Sequence, residues 1–175
     1  AHRIAETNGI IDFPSVQEML GQLASDSAVI ESLITTMEVK GLNVGKYFVP
    51  DAHILYAAQV QTQQLYPRVI ATLRELAGGG MIMLPSSVED FSNPEVATYI
   101  QSTQSSSIYS PEDRVKFFKL AWDAVGSEFA SRHVQYEMFY SGASFVVKGN
   151  SYRTFDWSPA TDLVERLMES YSLEE

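Results

Sequence analysis

The sequence contains no cysteine, and its basic residues are scarce beside its acidic ones. The absence of thiols excludes disulfides, cysteine-held iron–sulfur clusters and thiolate zinc sites within these 175 residues. With 12 basic against 22 acidic side chains the formal charge is -10, so most of the surface repels phosphate backbones and anionic lipids. We therefore expect neither nucleic acid nor a membrane surface as a partner, and a reducing compartment, the cytoplasm, as the location.

Long apolar runs are also missing. The longest ones, such as residues 81–84, fall far short of the roughly 18 residues that a membrane span needs, and no basic-then-apolar secretory leader opens the sequence. The chain begins with Ala1 rather than Met, as expected of a processed product or a piece of a longer protein. Its length and its 45% apolar residues predict one domain with one sizeable core.

Helical periodicity dominates the first half of the sequence. Ser15 and Glu18 have the spacing of a capping box, which predicts that a helix begins at Ser15. A second helix is predicted over about 52–77, where Pro67 should kink it or divide it. The apolar residues 81–85 that follow are predicted to form a buried, irregular link. The first helix carries one apolar stripe, made of Val16, Met19, Leu20, Leu23, Ile30, Leu33, Ile34 and Met37.

The second half contains the strongest helical signal. Ser110 and Pro111, followed by two acids, predict a helix start. Gly126 interrupts this helix, and Ser127 is placed to cap a new segment. Residues 144–157 are predicted to be a loop or extended arm, and Ser158 opens a last helix that points Leu163, Val164, Leu167, Met168 and Tyr171 inward. Aromatic residues typical of a core or a subunit contact recur along the long helix: Phe118, Trp122, Phe129, Tyr136, Phe139 and Tyr140.

These patterns predict an all-α fold, an antiparallel helix bundle of four or five helices. No metal site is predicted, because the motifs Glu-x-x-His and His-Glu-x-x-His are absent. No catalytic residue is predicted on this chain either, since it contains no nucleophile elbow, phosphate-loop lysine or dinucleotide fingerprint.

Two glycine interruptions each leave two interpretations open. The run Gly78, Gly79 and Gly80 is typical of a helix end in a left-handed conformation, but residues without Cβ also let backbone amides approach a ligand. Gly126 is tolerated where two helices pack closely. Alternatively, the fresh helix start at Ser127 offers amide donors to a polar or anionic ligand.

Two stretches of the sequence, taken together, resemble a known family. They are residues 65–86 (LYPRVIATLRELAGGGMIMLPS) and 114–137 (RVKFFKLAWDAVGSEFASRHVQYE). In this order they resemble the C-terminal domain of the 4-hydroxyphenylacetate 3-monooxygenase family, the oxygenase components of two-component, FAD-dependent aromatic hydroxylases. The resemblance covers about residues 1–140.

The resemblance implies a helix bundle like the C-terminal domain of acyl-CoA dehydrogenases, through which subunits form homo-tetramers. Residues 1–142 are then this bundle domain, and residues 143–175 are a loop or arm and terminal helix of the same domain. The resemblance also implies two FAD-contacting segments, the first of them facing the FAD of a neighbouring subunit. These segments are Gly78, Gly79, Gly80 and Met81, and Gly126, Ser127, Glu128 and Phe129.

The resemblance further implies an activity, the ortho-hydroxylation of a phenolic small molecule with O2 and FADH2 from a separate NADH-dependent flavin reductase. The phenol-binding part of the family lies N-terminal to anything present here, so the chain is expected to act only with that missing N-terminal part. Three alternatives stay open: an acyl-CoA dehydrogenase-like flavoprotein that retains its FAD, a non-catalytic helical oligomerisation module, and a 4-hydroxybutyryl-CoA dehydratase relative.

Overall fold

A computed structural model describes residues 1–172 of the chain. Within that range it contains eight α-helices and one antiparallel hairpin, and helix accounts for 74% of the structure. The elements are α1 (His2–Thr7), α2 (Pro14–Val39), β1 (Leu42–Val44), β2 (Tyr47–Val49), α3 (Ala52–Ala77), α4 (Pro94–Thr103), α5 (Pro111–Val125), α6 (Glu128–Phe139), α7 (Ser144–Thr154) and α8 (Ser158–Ser170). Short 3-10 helices cover Gly78–Met81 and Val88–Phe91. The predicted all-α bundle is confirmed.

Helix α3 is the central element, and its neighbours run antiparallel to it. On one side, Arg68 of α3 forms an ion pair of 2.8 Å with Asp26 of α2. On the other side, the ring of Tyr66 meets His133 of α6 edge-on. Further towards the start of α3, the Gln63 amide donates to the carbonyl of Gly142, before α7. Helices α6 and α7 therefore follow each other along the length of α3.

One hydrophobic cluster holds these helices together. The side chain of Phe118 on α5 is fully buried at its centre. Burial of such a side chain stabilises the fold by about 1.5–3 kcal/mol relative to its exposure. The members of the cluster are Ile4, Ala5, Val16, Ile70, Leu76, Ala77, Met81, Phe118 and Val125. Ala77, just before the glycine run, and Met81, just after it, thus lie in the core.

The predicted start of the first long helix is wrong by one position. The helix begins at Pro14 with Phe13 as its N-cap, and no side chain caps it. Proline at the first helical position has its φ already set for the helix and lacks an N–H that would need a partner, so Ser15 is not needed as a cap. Helix α1 and the hairpin were not predicted, because each is too short to show a periodic pattern.

Pro67 does not divide α3, which is helical without interruption from Ala52 to Ala77. A proline inside a helix removes one hydrogen bond, but this helix is held along its length by α2, α6 and α7. The predicted buried link over residues 81–85 is only partly correct. Met81 is buried, whereas Ile82 and Met83 are largely exposed.

The predicted loop or arm over residues 144–157 is wrong, since most of it forms α7. Gly149 and two adjacent valines give this segment a poor intrinsic helix propensity. Packing decides the outcome, because Val147 is fully buried and α7 lies against α3. The ring of His53 on α3 also reaches Thr154 at the end of α7.

The predicted inward face of the last helix is also wrong. Helix α8 exists as predicted, but none of its residues is buried. Its apolar side chains Leu163, Val164, Leu167 and Met168, with Tyr171 after it, are each at least 50% exposed. Their spacing still places them on one face. Helix α8 therefore has the pattern of a packed helix but buries none of its side chains against the rest of residues 1–172. Residues 173–175 of the predicted terminal segment lie outside the described part of the chain.

Candidate functional site

The glycine run after α3 forms a single turn of 3-10 helix, Gly78–Met81. Gly78 has φ of +55°, a conformation that side chains disfavour, so glycine is required there. A Cβ added to Gly78 or Gly79 would meet no atom within 4 Å. Gly80 is half-buried, and the side chain of Met81 packs in the core. The outer face of the turn is therefore exposed backbone that a ligand could approach closely.

Two amide side chains hold this turn from either end. The side-chain amide of Asn8, just after α1, donates to the carbonyl of Leu76, the second-last residue of α3, at 2.9 Å. The buried Gln104 donates to the carbonyl of Met83 at 2.8 Å. Both amides satisfy carbonyls that a helix end or a loop leaves without partners. The glycine run is thus fixed in place by residues far from it in the sequence.

Arg114 on α5 lies directly behind the turn. Its guanidinium lies over the ring of Phe118 at 4.6 Å and donates to the Gln104 oxygen. Its Nη2 would be 3.2 Å from a Cβ on Gly80, so glycine permits this close approach. The Nε atom is buried without an acceptor, which costs about 1–3 kcal/mol for an ordinary donor. Burial lowers the pKa of the Arg114 guanidinium.

The second interruption ends α5 and begins α6. The hydroxyl of Ser127 accepts from the N–H of Ala130 at 3.1 Å and donates to the carbonyl of Asp123 at 3.0 Å, which confirms the predicted cap. Within the described chain, no acceptor faces the N–H groups of Glu128 and Phe129. Such free amides at a helix start attract polar or anionic groups. The Phe129 side chain is 76% exposed beside them.

Gly126 itself has a structural explanation. The indole of Trp122, one turn earlier, lies against it, and an added Cβ would be 2.5–2.8 Å from three ring atoms. Glycine is thus needed here for close packing, which is the structural one of the two interpretations that the sequence left open. The neighbouring Ser127, Glu128 and Phe129 keep the ligand interpretation available.

This packing leads to a first prediction. We expect Gly126→Ala to lower the free energy of unfolding by about 1–3 kcal/mol, because the methyl group overlaps the Trp122 ring. The matched control is Gly21→Ala in α2, where a Cβ meets nothing within 4 Å and should stabilise the helix by about 0.5–1 kcal/mol. Urea denaturation measures both variants. Equal stabilisation by both would contradict the packing of Trp122 on Gly126.

The two glycine interruptions are both adjacent to the same hydrophobic cluster. Ala77 and Met81 flank the glycine run, Val125 precedes Gly126, and all three belong to the same cluster. Arg74, one turn before the glycine run, donates to the carbonyl of Val125. From Phe118, beside Gly80, to position 126 the distance along α5 is about 12 Å at the usual rise per residue. One elongated ligand could therefore touch both segments.

Sequence reasoning missed the residues that support the glycine run. Asn8, Gln104 and Arg114 lie in three different segments, and no local pattern marks them. The aromatic residues of α6 were predicted as core or subunit contact, and in the single chain they form an exposed stack. The rings of Phe129, His133, Tyr136 and Tyr140 follow one another at centroid distances of 5.8–6.5 Å.

Two of the larger cavities lie elsewhere in the described structure. One, of about 660 Å³, lies between α2 and α3 and is mainly apolar. The other, of about 640 Å³, is lined by residues of the Val88–Phe91 turn and of α5, including Lys116 and Lys119. Neither is lined by the glycine segments. Among residues 1–172, no three histidine or carboxylate side chains are close enough to hold a metal ion. Within that same range, no helix has the length and apolar character needed to cross a bilayer.

The chain is similar in sequence to a known family profile and to curated proteins. The family profile described as 4-hydroxyphenylacetate 3-hydroxylase C terminal matches residues 1–169. The oxygenase component of 4-hydroxyphenylacetate 3-monooxygenase from Pseudomonas aeruginosa is 31% identical over 97% of this chain, which corresponds to 34% of that protein. The chain thus spans about a third of the length of the curated relatives it matches.

Solved structures agree with these relatives. A crystal structure of the oxygenase component of 4-hydroxyphenylacetate 3-monooxygenase, complexed with FAD and 4-hydroxyphenylacetate, superposes with a TM-score of 0.88 and 25% identity over 95% of this chain and 35% of that one. An archaeal 4-hydroxybutyryl-CoA dehydratase from N. maritimus superposes with a TM-score of 0.84 at 16% identity, over 99% of this chain and 35% of that one. The second likeness concerns the fold alone. Together they confirm the predicted acyl-CoA dehydrogenase-like fold.

Proposed function

The chain belongs to the 4-hydroxyphenylacetate 3-hydroxylase family, as its C-terminal domain, and from this membership we propose what it does. It is the FAD-binding and oligomerisation domain of a two-component monooxygenase that hydroxylates a phenolic substrate ortho to its hydroxyl, using FADH2 and O2. A separate NADH-dependent reductase supplies the FADH2. The relatives named as oxygenase components support this division of labour.

One observation carries the proposal for the cofactor. Two exposed backbone segments, 78–80 and 126–129, adjoin the same hydrophobic cluster, and Phe118 beside the first lies about 12 Å along α5 from the start of the second. A dinucleotide is an elongated ligand with anionic groups, and it suits two separated contacts of this kind. FADH2 binding at these segments is thus supported by their spacing as well as by family membership.

The residues present fit such a group. Gly78 and Gly79 present backbone without steric obstruction, and a side chain at either position would fill the space that the ligand needs. The free N–H groups of Glu128 and Phe129 are donors at a helix start. Arg114 adds a positive charge behind the first segment. Met81 contributes through its backbone, since its side chain is in the core.

Each part of the chain has a physical task in the reaction. When bound, the flavin supplies the redox chemistry that activates O2. The glycine run and the start of α6 hold it through backbone hydrogen bonds, which are reversible and allow exchange with the reductase. The exposed ring of Phe129 would exclude water from the site on assembly. The residues that bind the phenol are proposed to belong to the missing N-terminal part.

The oligomerisation role is supported by unpartnered apolar surface. The aromatic stack on α6 and the apolar face of α8 are both exposed in the single chain. Monomeric proteins rarely expose contiguous apolar patches of this kind. We assign these surfaces to contacts between copies of the chain, in a homo-tetramer. Residues 143–175 then belong to the same domain as residues 1–142, which the packing of α7 on α3 supports.

The proposal is tested by FADH2 binding to the native assembly that contains this chain. Gly79→Val should raise the dissociation constant of FADH2 about tenfold, because the branched side chain occupies the space in front of the turn. Gly21→Val on α2, which also meets nothing within 4 Å, is the matched control and should leave binding unchanged. Anaerobic titration measures binding, and H2O2 release during turnover measures loss of coupling.

The second segment is tested in the same assay. Ser127→Ala removes the cap that orders the start of α6 and should weaken FADH2 binding, whereas Ser127→Thr keeps the hydroxyl and the affinity. Unchanged affinity and coupling in both Gly79→Val and Ser127→Ala would remove the pocket from this chain. A protein that retains yellow FAD through dialysis would favour the acyl-CoA dehydrogenase-like alternative.

A further inference from the structure

Arg114 is a cation without a counter-ion, although the chain is strongly acidic. Ion pairs are formed elsewhere among the described residues, for example by Arg68 and Lys116, but none includes Arg114. A guanidinium has five N–H donors, and the one side-chain acceptor that Arg114 meets is the Gln104 oxygen. Its Nε is shielded from solvent and has no acceptor at all. The terminal nitrogen Nη2 forms no hydrogen bond with the described residues, so its donors are available to a ligand that the chain itself does not supply.

We propose that Arg114 binds a phosphate-class anion that lies on the glycine run, namely the diphosphate of the dinucleotide cofactor; this inference rests on the proposed function. Two contacts fix the position of the Arg114 guanidinium. The ring of Phe118 lies below the guanidinium at 4.6 Å, and Gln104 fixes one of its terminal nitrogens. The remaining terminal nitrogen, Nη2, points towards Gly80.

The glycine run provides the other half of the site. The absent side chain of Gly80 lets Nη2 come within 3.2 Å of the Cβ position, close to the backbone of the turn. The open space at Gly78 and Gly79 admits a bulky tetrahedral group to the same backbone. An anion that contacts both the turn and the guanidinium would lie next to Gly80, where Nη2 is close to the Cβ position.

The chemistry favours a phosphate over other anions. A planar guanidinium binds phosphate oxygens through two parallel hydrogen bonds, and clustered backbone amides of a glycine turn form a concave anion site. The partial burial of Arg114 strengthens the attraction, because charges interact more strongly away from water. The lowered pKa of Arg114 agrees with a charge that lacks its partner. The nearby acids already accept hydrogen bonds, since Glu112 accepts from the Gln101 amide and the Asp113 carboxylate accepts from the Ser110 hydroxyl.

The test is an NMR titration of the 175-residue chain with inorganic diphosphate, followed by FAD. We expect diphosphate to shift the amide signals of Gly79 and Gly80 and the Nε–H signal of Arg114. Arg114→Gln should weaken binding at least tenfold, and Arg114→Lys should restore part of the affinity as a charge without the planar fork. Lys116→Gln removes a charge two positions away on the exposed side of α5, where it pairs with Asp113, and should change the affinity less than twofold.

A second variant covers the case in which Arg114→Gln is unstable. Gly80→Ala displaces the guanidinium but keeps its charge, and should weaken diphosphate binding by a similar factor. Equal losses in Arg114→Gln and Lys116→Gln would overturn the inference in favour of a diffuse positive field. Shifts confined to other residues, or none, would also overturn it. If Arg114→Gln retains FAD affinity while Gly79→Val loses it, this inference fails and the proposed function stands; if neither affects FAD, the proposed function fails as well.

Discussion

Replacing Leu163 and Leu167 by glutamate is expected to dissociate the proposed oligomer, raising its dissociation constant at least about 100-fold. Both side chains lie on the apolar face of α8 and are about half exposed in the single chain. Burial of one leucine at an interface contributes about 1.5–3 kcal/mol, so loss of two corresponds to two or more powers of ten in affinity. Sedimentation velocity over a range of concentrations measures the effect.

The matched control lies on the opposite face of the same helix. Arg166→Glu changes the net charge by the same amount as the double leucine variant, because it removes one positive charge and adds one negative charge, but it leaves the apolar face intact. Its oligomeric state should remain that of the unmodified chain. Since no residue of α8 is buried, the double variant should also keep its helical circular dichroism spectrum. An unchanged molar mass for the leucine variant would assign the α8 face to something other than a second copy.

Phe118→Ala is expected to lower the free energy of unfolding by about 3–5 kcal/mol. Phe118 is fully buried in the cluster that joins α1, α3 and α5, and its ring packs edge-on against Phe117. It also supports the Arg114 guanidinium and lies 3.6 Å from the Cβ position of Gly80. Removal of the ring leaves a cavity directly behind the glycine run. Ligand affinity at that turn should therefore fall together with stability.

Urea denaturation followed by circular dichroism measures this second effect. Domains of this kind have total stabilities of about 5–15 kcal/mol, so a cost of this size is a large share of the whole. Phe145→Ala is the control, because that side chain is 79% exposed at the start of α7 and its loss should change stability by less than about 0.5 kcal/mol. A cost below about 1 kcal/mol for Phe118→Ala would show that the core is not closely packed there.

The long helices were predictable because their signals are local. Serine caps at Ser110 and Ser127 and the periodicity of α2, α3 and α5 depend on residues a few positions apart. Helix α7 was not predictable in the same way. Its sequence is poor in strong helix formers, and the burial of Val147 against α3 stabilises it. Local patterns identify elements, whereas the choice between arm and helix was made by tertiary packing.

The orientation of α8 shows a second limit of sequence reasoning. Its apolar periodicity correctly indicated a helix with one apolar face, but periodicity does not tell whether the chain itself buries that face. The candidate site likewise has a part that the sequence shows and a part that only the three-dimensional structure shows. Both glycine segments were visible in the sequence, but the missing partner of Arg114 depends on every neighbour in three dimensions. No sequence pattern within one segment can show that a side chain lacks a partner in the folded protein.

The position of the two tryptophans has a practical consequence. Trp122 lies against Gly126, and Trp157 immediately precedes α8, where its indole N–H donates to the carbonyl of Tyr152. The sequence contains no other tryptophan. Intrinsic emission therefore reports from one fluorophore beside the proposed flavin segment and one beside α8, the proposed subunit contact. Replacing each in turn by phenylalanine gives two single-fluorophore proteins, in which ligand docking and assembly can be followed separately without an added label.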